Sequence, residues 1–338
     1  MKFFTISLLL VLIALCGVLF FLPGKIRSTV RTSAKEGCSV AATTYPIWVL
    51  TREVLDGTGI EAQLLTPPDA GCPHDYVLTA NDLMKVSSAR KPLLLFKNGA
   101  GLDDHICQAA LMSGGSGIVV IDTGAGIEVI GGDDDDDHDH EGEEEHDGRD
   151  ADGEHGEEHG HHHHHGGENG HFFASPYEAR KIVATIAAEL EKSVPTHAGR
   201  IRENAAMLDK RLQMLGDEFK AQLEPCAATR VAAQHNVFDY LLRDCGFETP
   251  LAIFADPETP PSPAEITKMT KEFGEHGVKV IFTEPQYPDD LAKLIAKETG
   301  AAVVKLDPVA SGPENPPAGY YFEVMGRNLE LMKKALAE

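Results

Sequence analysis

The sequence predicts an α/β protein of two lobes, each a parallel sheet flanked by helices, joined by a long linker helix. Three observations carry this. Short apolar, β-rich runs alternate with helical spacings on both sides of the chain's middle, the pattern of parallel strands and their crossover helices. Between the two stretches, Ile201, Ala205, Leu208, Leu212, Leu215 and Phe219 recur at steps of three and four, one face of a long helix over about 196–223. The chain has 338 residues, 42% of them hydrophobic, enough for two domains with a core each.

Residues 1–32 stand apart. A nearly continuous apolar run over 3–22 follows Lys2 and ends at Pro23-Gly24, before Lys25, Arg27 and Arg31. It reads as an export signal or a membrane anchor, since about 20 apolar residues can span a bilayer. Cys16 only loosely resembles a lipidation site, because the residue before it is Leu15 rather than a small one.

The first lobe is expected over 38–175. CSVAATTYPIWVLTREVLDGTG gives a strand, a turn and a helix with Ile47, Val49, Leu50, Val54 and Leu55 at helical spacing. EAQLLTPP is a second strand, DAGCPHDYVLT a loop, and 81–88 a helix with Asn81 as N-cap. PLLLFKNG, a helix over 102–112 and the strand GIVVID complete the alternation. Helical linker sequence fills 176–223, opened by Ser175 as cap and Pro176 in the first turn. The second lobe, 225–338, runs TRVAAQHNVFDYLLRDCGFE, a Pro-rich loop, the helix SPAEITKMTKEFGEHG, the strand VKVIFTEP, the helix DDLAKLIAKETG, the strand AAVVKLDP and a helix over 320–337.

Residues 133–170 interrupt the first lobe. They hold 17 acidic residues against Arg149 alone, a formal charge of −16 out of the chain's −23, and ten of its 16 histidines: His138, His140, His146, His155, His159, His161, His162, His163, His164 and His165. With almost nothing apolar to bury, the stretch is expected to be a disordered loop. It reads either as a solvated acidic linker or as a weak, multiple binder of borderline divalent metals. Acidity alone does not call for ten imidazoles. The excess of acid excludes nucleic acid as a partner, and no GxxxxGK[ST] phosphate loop is present.

Beyond the leader, Cys38, Cys72, Cys107, Cys226 and Cys245 are too scattered for a CxxC knuckle. Cys226 and Cys245 flank a strand and a helix, so a disulfide and two buried thiols both fit. Of the histidines outside the insertion, His105, His197 and His276 fall in or beside helices and read as surface or packing residues. His74, His171 and His235 stand where a strand has ended or a helix is about to begin, and Asp307 ends AAVVKL. All four fall at the same rim of their sheets, and three imidazoles with one carboxylate suit zinc. On spacing alone the signal is weak: a lone loop histidine is more often a surface residue than a ligand, and an Asp before Pro is often a turn former.

ATTYPIWVLTREV, PHDYVLTANDL, HFFASPYEARKI, QHNVFDYLLRDCGFE, IFTEPQYPDDLAKLIAKETGAAVVKLDP and YYFEVMGRNLELMKKAL, in this order, resemble the zinc- and manganese-specific substrate-binding proteins of bacterial ABC importers. The His-rich insertion between the first two candidate histidines resembles the zinc branch. The resemblance implies a metal-binding solute-binding-protein fold whose connecting helix limits hinge motion, and metal ligands at His74, His171, His235 and Asp307. The histidine at 235, where manganese-binding members tend to have a carboxylate, favours Zn(II) as the transported ligand. Two departures from the family pattern, Pro73 before the first ligand and GHFFASP around the second, leave the fourth position open to Asp307, a water, an insertion residue or Glu284, which otherwise reads as a strand-end residue.

The resemblance thus implies a monomeric periplasmic or extracytoplasmic zinc receptor, not an enzyme. It would deliver zinc to an ABC permease with its ATPase, and touch a membrane only through residues 1–32 or the permease. A manganese receptor, a zinc metallohydrolase with Glu284 as base, and a zinc buffer acting through the insertion are the alternatives.

Overall fold

Both halves of the chain build a four-stranded, wholly parallel sheet with the same strand order. In the first, β1 (Ser39–Ala42), β2 (Ala62–Leu64), β3 (Leu93–Lys97) and β4 (Ile118–Asp122) lie as β2-β1-β3-β4. In the second, β5 (Val231–Ala233), β6 (Leu251–Ala252), β7 (Val280–Thr283) and β8 (Ala302–Lys305) lie as β6-β5-β7-β8. The computed structural model describes residues 38–131, 168–254 and 261–337. The leader expected over 1–32 and the ten insertion histidines lie outside the described residues. Among the described residues no helix is long and apolar enough to cross a membrane.

The helices of the first half are α1 (Tyr45–Val54), α2 (Ala80–Ser88) and α3 (Asp104–Gly114). The connection is made by two helices, α4 (Pro176–Ser193) and α5 (Ala198–Leu223), packed along each other. The second half adds α6 (Asp239–Asp244), α7 (Pro263–Glu275), α8 (Asp290–Thr299) and α9 (Tyr320–Leu336). Ser175 caps α4 as expected, its hydroxyl accepting from the N–H groups of Tyr177 and Glu178. The cap of α2 is Thr79 rather than Asn81: Thr79 Oγ1 accepts from Asp82 N–H while the Asp82 carboxylate accepts from Thr79 N–H, a reciprocal pair that starts the helix at Ala80. The two-residue edge strand β6 occupies a stretch that reads from sequence as loop.

Side-chain alternation assigns the strands to three cores. Val40 and Ala42 of β1, Leu94 and Phe96 of β3, Val231 and Ala233 of β5, and Val280 and Phe282 of β7 all join one cluster, which continues through α1, α4, α5 and α9. Their neighbours face outward. Ala41, Leu93 and Leu95 enter a smaller core with Val86 and Cys107, and Ala232 and Ile281 another with Phe273 and Ile295. Each sheet is thus covered on both faces, and the inner faces of the two sheets share one apolar core. Polar bonds reinforce the junction: Tyr45 Oη donates to Pro313 O (3.0 Å), Gly319 N–H to Glu53 Oε1 (2.6 Å) and Tyr321 Oη to Phe173 O (2.9 Å).

Of the two readings left open for Cys226 and Cys245, the disulfide is not formed. Both are free thiols: Cys226 sits half-buried in the turn after α5, while Cys245 closes α6 inside the core, where burial pushes its thiol up to about 12 and keeps it protonated. Because Leu212 of α5 is fully buried in the shared core, Leu212→Ala is expected to cost about 2–5 kcal/mol in urea unfolding. It should do so through a single transition for both sheets. A loss below about 1 kcal/mol, or two separate transitions, would contradict a shared core.

Candidate metal centre

The parallel strands of each sheet end at one rim, and the loops leaving that rim carry the titratable side chains. His74 lies in a one-turn 3₁₀ helix (Pro73–Asp75) after β2, and His171 opens another (His171–Ala174) where the chain re-enters before α4. His235 follows β5 by one intervening residue, Glu284 directly follows β7, and Asp307 follows β8. In the second sheet β5 and β7 are neighbours whose connections leave in opposite directions, the switch point at which open α/β sheets hold ligands.

The structure brings the three histidines into a row. The His171 ring meets that of His74 at a centroid distance of 5.1 Å and that of His235 at 4.9 Å, both edge-on. His171 and His235 are 1% and 2% exposed, whereas His74 faces solvent. Burial, then the neighbouring His235 and His74, hold the His171 imidazole well below its usual pKa, so it is neutral and has one nitrogen with a lone pair.

Asn169 decides which nitrogen that is. Its Oδ1 accepts from both the backbone N–H and Nδ1 of His171 (2.9 Å each), leaving Nε2 as the lone-pair atom. Asn169 Nδ2 donates to Asn236 O (2.8 Å), beside His235, and to Asp239 Oδ2 (3.1 Å). Its carbonyl accepts from Tyr240 Oη (2.6 Å), which in turn accepts from Ile130 N–H. One side chain thereby ties the His171 loop to the His235 loop. Asn169 and Gly170 belong by sequence to the insertion, yet both are buried and hydrogen-bonded at this junction.

His235 and Glu284 form the other buried pair. Nδ1 lies 2.5 Å from Glu284 Oε1, but the approach lacks hydrogen-bond alignment, and neither ring nitrogen of His235 nor Glu284 Oε1 has a hydrogen-bond partner. Orphaned buried polar atoms each cost about 1–3 kcal/mol, and a cation beside them would remove that cost. Asp307 is used differently. Its Oδ1 accepts from Val309 N–H (2.8 Å), holding Val309 at a φ of 66°, and its backbone is bonded on both sides to Asn328 of α9. Burial pushes its carboxyl upward.

Cys72, absent from the sequence-based candidates, joins the row. Its Sγ is 3.3 Å from His171 Nε2, and among the described residues Cys72, His74 and His171 are the group of three potential ligands whose donor atoms lie within 4.8 Å of one another. The signal was a cysteine two residues before a candidate ligand, C-P-H. Beside it a cavity of about 520 Å3, lined by Asp69, Gly71, Cys72, Gln286, Tyr287 and Gly312 among others, opens between the rims of the two sheets. Imidazole nitrogens, a thiol and carboxylates on converging loops suit a borderline divalent cation.

Asp239, the buried acid of the Asn169 network, supplies a pH test. Burial raises its carboxyl from 3.8 to about 7, against a smaller opposing effect of the Asn169 hydrogen bond. A group whose folded-state pKa is raised favours folding fully below the unfolded value and loses that contribution as pH rises through the folded one. The stability of metal-free Asp239→Asn relative to wild type is therefore expected to increase between about pH 4 and about pH 7 in thermal unfolding. A difference independent of pH would contradict the burial of that carboxyl.

Comparison with known proteins bears on the family. The chain is similar to the zinc-binding protein AdcA of Streptococcus pyogenes serotype M6, 25% identical over 331 residues that cover 96% of this chain and 61% of that protein; it therefore spans about three-fifths of the length of such relatives. It is 26% identical over 338 residues to the high-affinity zinc uptake system protein ZnuA of Bacillus subtilis, covering 98% of this chain and 96% of that one. Among solved structures, FpvC of Pseudomonas aeruginosa in complex with Ni2+ superposes with a TM-score of 0.72 at 26% identity, over 89% of this chain and 97% of that one. The family profile described as ZnuA, zinc-uptake complex component A periplasmic, matches residues 40–335, both sheets and the helices between them, and the chain belongs to that family.

Proposed function

We propose that this chain is the extracytoplasmic zinc receptor of an ABC-type import system: it captures Zn(II) at the rim between the two sheets and delivers it to a membrane permease driven by an ATPase. The observation that carries this reading is the row of His74, His171 and His235, with Nε2 of His171 left open by Asn169 and the nitrogens of His235 buried without hydrogen-bond partners. Three imidazoles favour zinc over manganese, which prefers oxygen. One further donor from the rim closes a tetrahedral shell. Asp307 is the carboxylate that the sequence offers for that position, although one of its oxygens already holds the Val309 turn. Membership of a family of transport solute-binding proteins supports capture and release rather than catalysis.

In this reading the insertion is accessory. Its histidines, His138 to His165, collect zinc weakly, and residues 1–32 direct or anchor the chain outside the cytoplasm. The shared core and the polar bonds across the junction restrict hinge opening, so release proceeds by small movements of the rim loops.

Competition titration of zinc against manganese tests the reading, on protein with and without residues 133–167, a deletion that spares Asn169. One tight zinc site should survive the deletion and resist an excess of manganese. Zinc capacity that disappears with the insertion would leave only a buffer. Asn169→Ala should weaken that tight site by about 10–100-fold, through loss of the hydrogen bond that orients His171; unchanged affinity would contradict the role given to Asn169.

A further inference from the structure

We infer that the sulfur of Cys72 is a metal ligand, so that the centre is a one-cysteine, three-histidine site in which Cys72 takes the position that the sequence offers to Asp307. This deepens the zinc reading and rests on it. Cys72, His74 and His171 each present a donor atom within 4.8 Å of the others, a grouping that neither Asp307 nor His235 enters among the described residues, and His235 reaches it through its ring contact with His171. In a tetrahedral zinc site with Zn–S near 2.3 Å and Zn–N near 2.0–2.1 Å, a sulfur and a nitrogen ligand stand about 3.6 Å apart. Cys72 Sγ lies 3.3 Å from His171 Nε2, and Nε2 is the nitrogen that Asn169 leaves open. The pair is already close to the edge length of the coordination tetrahedron.

Cys72 and His74 come from one preorganised turn, with Pro73 between them fixing the backbone. Cys72 also lines the cavity between the two rims, which gives an arriving ion a route to the sulfur. Before the ion arrives, the thiol donates a hydrogen bond to Nε2. When the ion binds, the S–H bond breaks, its proton passes to solvent, and the sulfur electron pair forms the bond to zinc; no oxidant or reductant takes part. A thiolate ligand should bias the centre toward soft and borderline cations such as cadmium and zinc, and away from manganese.

Zinc X-ray absorption on the full chain loaded with one equivalent of Zn(II) reads this directly. Wild type should show one sulfur neighbour at about 2.3 Å, and Cys72→Ser only nitrogen and oxygen at about 2.0–2.2 Å. Cys72→Ser should also lose more affinity for cadmium than for zinc, and Asp307→Ala should keep the sulfur neighbour. Tight binding with a nitrogen- and oxygen-only shell in wild type, or a sulfur neighbour that persists in Cys72→Ser, would overturn the assignment while leaving the zinc reading intact. Absence of tight zinc binding in wild type would overturn both.

Discussion

The rim of this protein can be a binding site because the inner faces of its two sheets share one apolar core. Phe96 and Phe282, from different sheets, belong to the same cluster as Leu212 and Phe219 of α5 and Tyr321 and Met325 of α9. Interiors of this kind are close-packed and resist small displacements. Loops leaving the carboxyl ends of β2, β5, β7 and β8 are therefore held at nearly fixed separations, and side chains remote in sequence meet without a hinge having to close. Under the proposed zinc reading, the cost of assembling the site is thereby met during folding rather than at the moment of capture.

Within that frame, hydrogen bonding decides which atoms point at the site. Asn169 holds the ring of His171, reaches the backbone beside His235 and is itself held through Tyr240. A histidine anchored through Nδ1 can offer only Nε2, which converts a buried neutral ring into a directed ligand. The second buried pair, His235 with Glu284, lacks this resolution: its polar atoms are close, buried and without hydrogen-bond partners. An anchored ring beside an unsatisfied one is what a site has when its last partner is the cargo.

Much of the fold was legible in the sequence because buried parallel strands read as short apolar runs, and because Ser175-Pro176 and the helical spacing of α5 are strong local signals. Boundaries slipped where a better local partner existed, as when the Thr79–Asp82 pair outcompeted Asn81 for the cap of α2. β6 was illegible because two edge residues have no periodicity. At the site, His74 and His235 read as following strands and His171 as preceding a helix, which was enough to place the three on one rim. Cys72 was passed over because its chemistry depends on a neighbour from another loop, and Asn169 because it sits at the end of a low-complexity acidic stretch that hides a structural residue. The pairing of Cys226 with Cys245 stayed open in the sequence because strand-helix proximity does not fix which way a thiol points; Cys245 lies in the core and the two are free thiols.

The central claim is that the row of His74, His171 and His235 is where the metal sits. Anomalous diffraction at the zinc edge, from crystals of the protein with one equivalent of zinc, locates the ion without reference to affinity. The account expects one dominant peak within bonding distance of a ring nitrogen of each of the three histidines. A dominant peak elsewhere, with those three rings unliganded, would contradict it.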